Sequence, residues 1–505
     1  MKNIFIKYLA VAFLLLSVTA CEDFLDEEVQ GILPDEEYYQ TEEDAMMAVI
    51  GIYDMMSAHY NGVWSSLYFV KTMPSDESNA GGSNDGDQKG YQDLDDFNID
   101  SQNDKVGATW STIYQAILRA NNVVNNTEPE SELQKRSIAE AKALRSMNYF
   151  DLVRLWGDVP LVLTNINPDD FTSIGRAPSS DVYAQIEKDL LEAIPELPLK
   201  SQYVAQDKFR VSKGTAQALL GKVYLYQQNW DGAVTQFENV ITSGEYALEN
   251  SVADVFSKHG EFGQESLFEL SYTNGENYDW GNFPWGEKPE SNIHIQLMGP
   301  RSDFYTMAPG DSLIGGWGFN VGTEKMYQAF VDAGDVNRRM VSMMSVEELE
   351  NAGGNWSVES TWDFEGYWQR KYGTFQSHTD EPILELNYGT NWRMIRYADV
   401  LLMAAEAHYR NGNEPQALTY LNQVRQRPGT NLPEVSATGA ALFDAIVLER
   451  QLELAFEGHR YMDLVRWGLA EQELGPLGFT SGKNEVLPIP INEIRTAGLE
   501  QNPQY

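Results

Sequence analysis

RYADVLLMAAEAHYRNGNEPQALTYLNQVRQRP, residues 396–428, is the stretch from which the architecture can be read. Leu401, Ala404, Ala405 and His408 recur at helical spacing, and beyond an Asn411-Gly412 turn Ala417, Leu421 and Val424 do the same. The pattern predicts a helical hairpin. Ala404, Ala405 and Ala417 let the two backbones approach closely, and Pro415 falls near the start of the second helix, where its missing N–H costs little. Pro428-Gly429 then stops it. A hairpin of this kind cannot bury its apolar faces alone, so the rest of the chain is expected to hold others.

One sibling is evident. In RVSKGTAQALLGKVYLYQQNWDGAVTQFENVITS, residues 210–243, Leu220, Gly221, Tyr224, Ala233 and Phe237 sit at the spacing of the tetratricopeptide pattern. Ala404, Ala405, His408, Ala417 and Leu421 repeat the same offsets, with His408 and Leu421 in place of aromatics. The interval between the copies is irregular, which excludes a uniform solenoid. Further helices are predicted over Glu42–Met56 behind a Thr41 cap, Trp110–Val124, Ile138–Trp156, Asp181–Ala193 and Phe443–Leu469. From Met73 to Asp104, Gly, Ser, Asn and Asp dominate without a sustained period, as in a long loop. The block from Tyr246 to Trp392 is also aperiodic, apart from a short alternating strand at Glu265–Tyr272, and half of the twelve tryptophans fall within it between Trp280 and Trp368: Trp280, Trp285, Trp317, Trp356, Trp362 and Trp368. The fold class that follows is mainly α: tetratricopeptide-like helix pairs form a scaffold over 38–56, 105–156, 180–243 and 396–470. Long aromatic-rich loop insertions, at 57–104 and 246–392, face a ligand, and there is little β.

Charge narrows the function. Against 36 Lys and Arg stand 75 Asp and Glu, a net charge of −39 that opposes nucleic acid and anionic membrane surfaces as partners. A neutral or cationic ligand is easier to accommodate. At the N-terminus, Lys2 and Lys7 precede an apolar run from Tyr8 to Val18, too short to span a bilayer and patterned as a secretory signal over residues 1–20. Val18-Thr19-Ala20-Cys21 resembles the bacterial lipobox, whose cysteine is lipidated, and Cys21 is the only cysteine in the chain. That implies a membrane tether at Cys21 and an exported protein without disulfides. Glu22, Asp23, Asp26, Glu27 and Glu28 follow directly and read either as a surface-export signal or as a solvated acidic linker.

Several segments together resemble one family, the SusD/RagB-like outer-membrane lipoproteins of Bacteroidetes. They are YFDLVRLWGDVPLV from Tyr149, the 210–242 repeat, RYADVLLMAAEA from Arg396, LNQVRQRPG from Leu421, ERQLELAFEGHRYMDLVRWG from Glu449, and the tail LPIPINEI with LEQNPQY. The resemblance runs in order from Cys21 to Tyr505, as one domain over 21–505. It implies a non-enzymatic, lipid-anchored binding protein at the outer membrane, facing outward. There it captures an extracellular glycan and acts as the lid of a SusC-like TonB-dependent transporter, with no cofactor. Peptide or glycoprotein-derived cargo is the alternative within the family. The rivals outside it are a surface glycoside hydrolase and a tetratricopeptide scaffold for other proteins.

Glycan capture needs flat apolar faces against sugar C–H surfaces, with polar groups around them for the hydroxyls. In GENYDWGNFPWGEK, residues 275–288, Tyr278, Trp280, Phe283 and Trp285 stand among glycines and Pro284, too broken for a helix core. They either form a ligand platform or pack the loop onto the scaffold. Trp317, within Gly315-Gly316-Trp317-Gly318, is a second candidate. By region, the resemblance adds Asp76, Glu77, Asn79 and Tyr91 of the early loop as ligand partners. That loop contains no tryptophan, unlike the starch-binding member's pattern, which puts starch specificity in doubt. Asp85, Asp87, Gly90 and Asp96 follow a calcium-loop spacing in part, but Lys89 occupies a ligand position and no metal site is assigned. Glu449, Glu453 and Glu457, with Arg450, Arg460, Asp463 and Arg466, have the spacing of a helix-borne ion network. Neither HExxH nor GxSxG nor a P-loop is present, and no catalytic residue is assigned.

Overall fold

Arg396 closes the strand Trp392–Arg396, and the predicted hairpin follows it as the helices Tyr397–Arg410 and Glu414–Arg425. Asn413 caps the second helix, and Pro415 occupies its first turn. The computed structural model describes residues 39–62, 64–166, 172–286, 288–357 and 361–505; the signal segment, Cys21 and its acidic run lie outside the described residues. The sibling pair is Lys213–Tyr226 with Trp230–Thr242. Its Gly221 lies under the Phe237 ring, where an added Cβ would stand 2.5 Å from the ring edge. At the same offsets the second pair has Ala405 and Leu421, both fully buried.

The pairs stack. The Trp230–Thr242 helix packs on Tyr397–Arg410, and Glu238 on the former accepts from the Tyr420 hydroxyl at 2.6 Å and lies 2.9 Å from His408 Nε2. His408 is thus a buried packing residue of the pair, as its core position implied. Two further pairs complete the frame: Glu42–Asn61 with Asp104–Asn126, and Glu132–Trp156 with Ser179–Ala193. Arg145 grips Asp189 with two bonds of 2.8 Å across the last of these. The C-terminal tail staples the frame. Trp156 donates its indole N–H to the Pro488 carbonyl, and Asn502 bonds the carbonyls of Trp156 and Leu487.

Three expectations change. The early segment is not an unpatterned loop: Ser78–Gly81 is a strand and Lys89–Asp95 a helix. The strand opens an antiparallel sheet ordered Ser78–Gly81, Phe319–Gly322, Tyr367–Gln369, Met343–Ser345. That sheet sits inside the middle block, where Trp368 is buried rather than displayed and Trp356 packs against it. Ser266–Leu270, the strand foreseen within Glu265–Tyr272, pairs antiparallel with Trp392–Arg396, across bulges.

The third change is at the C-terminus. The continuous helix expected over Phe443–Leu469 is broken into Ala440–Glu453 and Arg460–Trp467. Phe456 and Gly458 take positive φ in the break. Electrostatics accounts for the bend. It turns Glu457 back onto Arg396 at 2.7 Å and Lys371 at 2.9 Å, and it presents the Phe456 N–H to Glu77 at 3.1 Å.

Around the bend lies a buried ion network. The Arg396 guanidinium donates to Glu265 and Glu453, both at 2.7 Å, as well as to Glu457. Glu453 also accepts from Arg338 and Arg427, both at 2.9 Å, and Glu449 accepts from Arg338 at 2.6 Å and Arg425 at 2.7 Å. The expected ion network is therefore present but not helix-borne: all four arginines on Glu449, Glu453 and Glu457 come from outside the C-terminal helices, at 338, 396, 425 and 427, whereas Arg450, Arg460 and Arg466 pair with Asp399, Asp463, Asp76 and Glu406. Removing one partner of a buried pair leaves uncompensated charge in a poorly solvated site. Arg396→Met is expected to cost about 3–5 kcal/mol, read as a lower urea midpoint; an unchanged midpoint would refute this role for the network.

Candidate ligand-binding surface

Four indoles from three separate segments form a ladder on the surface. Trp280 and Trp285 lie 6.1 Å apart with planes within 5°, Trp285 and Trp64 6.4 Å apart within 13°, and Trp64 and Trp317 5.4 Å apart within 21°. Trp280, Trp285 and Trp64 are 52%, 41% and 36% exposed, and Trp317 is half-buried. Soluble chains rarely display contiguous rings of this size without a use for them. The arrangement offers extended apolar surface, as sugar C–H faces require.

Each segment is held rigidly. The 277–286 loop turns on Asp279, whose side chain accepts from the Gly281 and Asn282 N–H groups at 2.7 and 3.0 Å. Asn387 clamps the same loop, accepting from the Tyr278 N–H at 2.8 Å and donating to its carbonyl at 2.9 Å. Phe283 is buried beneath it, edge-on to Tyr278 at 5.2 Å and 4.6 Å from Trp285. So the two open readings of this loop divide by residue. Trp280 and Trp285 face solvent, whereas Phe283 is the anchor that packs the loop down and Tyr278 is half-buried beside it. Trp317 is presented by a turn pressed onto residues 296–300. Its N–H bonds the Gln296 carbonyl at 3.0 Å, and a Cβ on Gly316 would stand 2.5 Å from that oxygen, so glycine is required.

Trp64 escaped the sequence reading. It lies inside the 57–104 region expected to face a ligand but ahead of the Gly- and Asn-rich stretch from Met73, in the turn between the Glu42–Asn61 and Leu67–Thr72 helices, closed by a Ser65 N–H to Gly62 carbonyl bond of 3.0 Å. Its φ of +63° is costly for a bulky side chain. The available signal was an indole two residues after Gly62 and two before the Ser66 helix cap, a place where no core needs it.

The early-segment candidates are elsewhere. Asp76 is buried and takes two bonds from Arg460, at 2.8 and 2.9 Å, with Lys325 also at 2.8 Å. Burial alone would raise its pKa, but Arg460 and Lys325 hold it below the usual carboxylate value. Glu77 is buried beside it. Burial pushes its pKa up to about 8, with Asp76 adding to the shift and Arg460 opposing it. Tyr91 is fully buried, edge-on to Phe69 at 4.9 Å, with Lys105 over its ring. Asn79 is half-buried and spends its amide on Asp363 and Glu365, at 2.8 and 3.0 Å. As ligand contacts, Asp76, Glu77 and Tyr91 are corrected to scaffold: the segment is polar because it meets the buried ions of the C-terminal bend, not because it is open. The carboxylates 449, 453 and 457 are buried and paired, away from any exposed surface. In the loop spaced like a calcium site, Asp87 caps Ser83 and Lys89 pairs with Asp93 at 3.0 Å. Among the described residues no cluster of His, Cys, Asp or Glu is arranged to hold a metal.

Comparison with known proteins matches this geometry to one family. The SusD family model matches residues 316–478, and a model described as starch-binding, associating with outer membrane, matches residues 23–225. A laminarin binding SusD-like protein of known structure is 34% identical and superposes with a TM-score of 0.84, covering 92% of this chain and 100% of that one. Surface glycan-binding protein A from Bacteroides thetaiotaomicron, solved with laminarihexaose, shares the fold at a TM-score of 0.78 and 24% identity, over 91% of this chain and 99% of that one. SusD-like protein P25 of Formosa agariphila is 26% identical over 96% of this chain and 95% of its own length.

The raised pKa of Glu77 predicts a pH dependence. Between the ordinary glutamate value of 4.5 and about 8 the folded chain keeps a proton that the unfolded chain releases, so this group's contribution to stability falls as pH rises through that window. Glu77→Gln keeps an acceptor for the Phe456 N–H and has nothing to titrate. The melting temperature of the variant relative to wild type is therefore expected to climb from pH 5 to pH 8.5 and then level off. A pH-independent difference would contradict the assignment.

Proposed function

The chain belongs to the SusD family, and we propose that it is a cell-surface binding protein that captures an extracellular glycan on the ladder of Trp280, Trp285, Trp64 and Trp317. The single observation carrying this reading is that ladder: near-parallel rings, three of them exposed, set by three turns, in a chain whose charge repels polyanions. Its 34%-identical relative is named for laminarin binding, which makes laminarin the first ligand to try. The carboxylates of the C-terminal helices are buried and inaccessible in salt bridges, so capture without cleavage is the role they leave open. The main hydrophobic core cluster draws on residues from Tyr39 to Leu499, with two smaller clusters around Trp368 and Phe330, and its reach along the chain supports a single domain over 21–505.

The finer role follows the family. After removal of residues 1–20, lipidation of Cys21 tethers the protein to the outer membrane, facing outward, and the captured glycan passes to a SusC-like TonB-dependent transporter over which this protein closes as a lid. The second family model, described as associating with the outer membrane, supports the location.

Calorimetric titration of the lipid-free protein, residues 22–505, with laminarin tests the binding role. Binding without chain cleavage is expected, and Trp280→Ala and Trp285→Ala should each weaken it roughly tenfold, or about 1.4 kcal/mol. Full affinity in both variants would remove the ladder from the site, and new reducing ends would point to an enzyme. For the tether, Cys21→Ser is expected to move the protein from the membrane fraction to the soluble one; retention in the membrane would argue against lipidation.

A further inference from the structure

Beside the ladder opens a cleft that neither the mechanism of capture nor the family comparison uses. It has a volume of about 640 Å³, within the ~300–1,000 Å³ of small-molecule sites. Gly62 and Gly286 lie on its rim, so it adjoins Trp64 and Trp285, the middle pair of the ladder, rather than either end. One wall is the Glu42–Asn61 helix, with Asp54, and the other is the Asp104–Asn126 helix, with Ala108, Thr112 and Gln115. Lys288 and Glu290 line it from the loop that carries the rings.

The lining is mixed: Met55, Ala58 and Ala108 give it apolar surface, and Asp54, Gln115, Lys288 and Glu290 give it donors and acceptors. Asp54 is bonded by Arg119 at 2.9 Å and Lys288 at 3.2 Å, an arrangement that fixes an acceptor and an ammonium side by side. Such a pair is suited to adjacent hydroxyls. His59 also lines the cleft. It is only 3% exposed, and its Nδ1 has no hydrogen-bond partner among the described residues. An unspent buried polar atom beside a roomy cleft that also carries charged groups is the mark of a site that expects an occupant or ordered water.

We infer that the cleft takes a single sugar unit branching from the glycan whose backbone lies along the ladder, so that the protein selects branched over linear chains. The position is what commits it. A cleft at one end of the ladder would lengthen the site for a linear chain, whereas one beside its middle pair can be reached from a bound backbone only by a side unit. The inference rests on the glycan-binding role proposed above.

Laminarihexaose and a laminarihexaose bearing one glucosyl branch on a middle unit, titrated into the mature chain, separate the two. Wild type is expected to bind the branched form about tenfold more tightly. Ala108→Phe and Gln115→Trp, which fill the cleft from a helix surface, should each bring the branched form to the affinity of the linear one and leave the linear one within twofold. Melting temperatures identify any variant that has failed to fold, and the other then decides. Equal affinity for both glycans in wild type, or a preference that survives both fillings, would overturn the cleft assignment alone, provided that the linear glycan still binds in a Trp280-dependent way. If wild type binds neither glycan, the glycan role falls and this inference falls with it.

Discussion

The structure depends on one buried guanidinium. Arg396 stands where the strand Trp392–Arg396 becomes the helix Tyr397–Arg410, and it gathers Glu265 from the paired strand, Glu453 from the end of a distant helix and Glu457 from the bend after it. Those bonds join the middle block to the helix pairs. They also explain why a sequence with helical period through Glu457 does not stay helical: a continuous helix would leave that carboxylate unable to reach Arg396 and Lys371. The network draws cations inward. Arg338, Arg396, Arg427, Arg450 and Arg460 are all buried, and the acids they pair with are buried beside them, so charge in the interior is close to balanced and most of the acidic surplus stands on the surface. The same choice that stabilises the interior makes the exterior repel polyanions.

The frame and the ladder divide the work of folding and recognition. Stacked helix pairs supply a rigid base through close crossings such as Gly221 with Phe237. From it project turns whose own hydrogen bonds, at Asp279, Asn387 and Gln296, fix each indole before any ligand arrives. Rings held in place lose little freedom on binding, which is how a shallow surface can still bind a flexible chain usefully.

Much of the frame was legible in the sequence, because helix caps, helical period and repeat offsets are local. Thr41, the Asn411-Gly412 turn and the offsets shared by the 210–243 and 396–428 stretches needed no knowledge of distant residues. The candidate site was legible in part. Trp280, Trp285 and Trp317 stood out as indoles among turn residues. Asp76, Glu77 and Tyr91 misled because a run rich in Gly, Ser, Asn and Asp looks the same whether it meets solvent or a buried arginine.

By itself, then, the sequence determined the helix-pair architecture, the kinship with one family, the acidic surface and most of the aromatic candidates, since each of these is carried by spacing or composition within a short window. Tertiary structure alone decided which aromatics are displayed, that Trp64 completes the ladder, that a cleft opens beside its middle, and that the C-terminal helix breaks. Those depend on partners brought together from far apart in the chain, residue 64 with 285 and 317, residue 396 with 457, and no local pattern records such encounters.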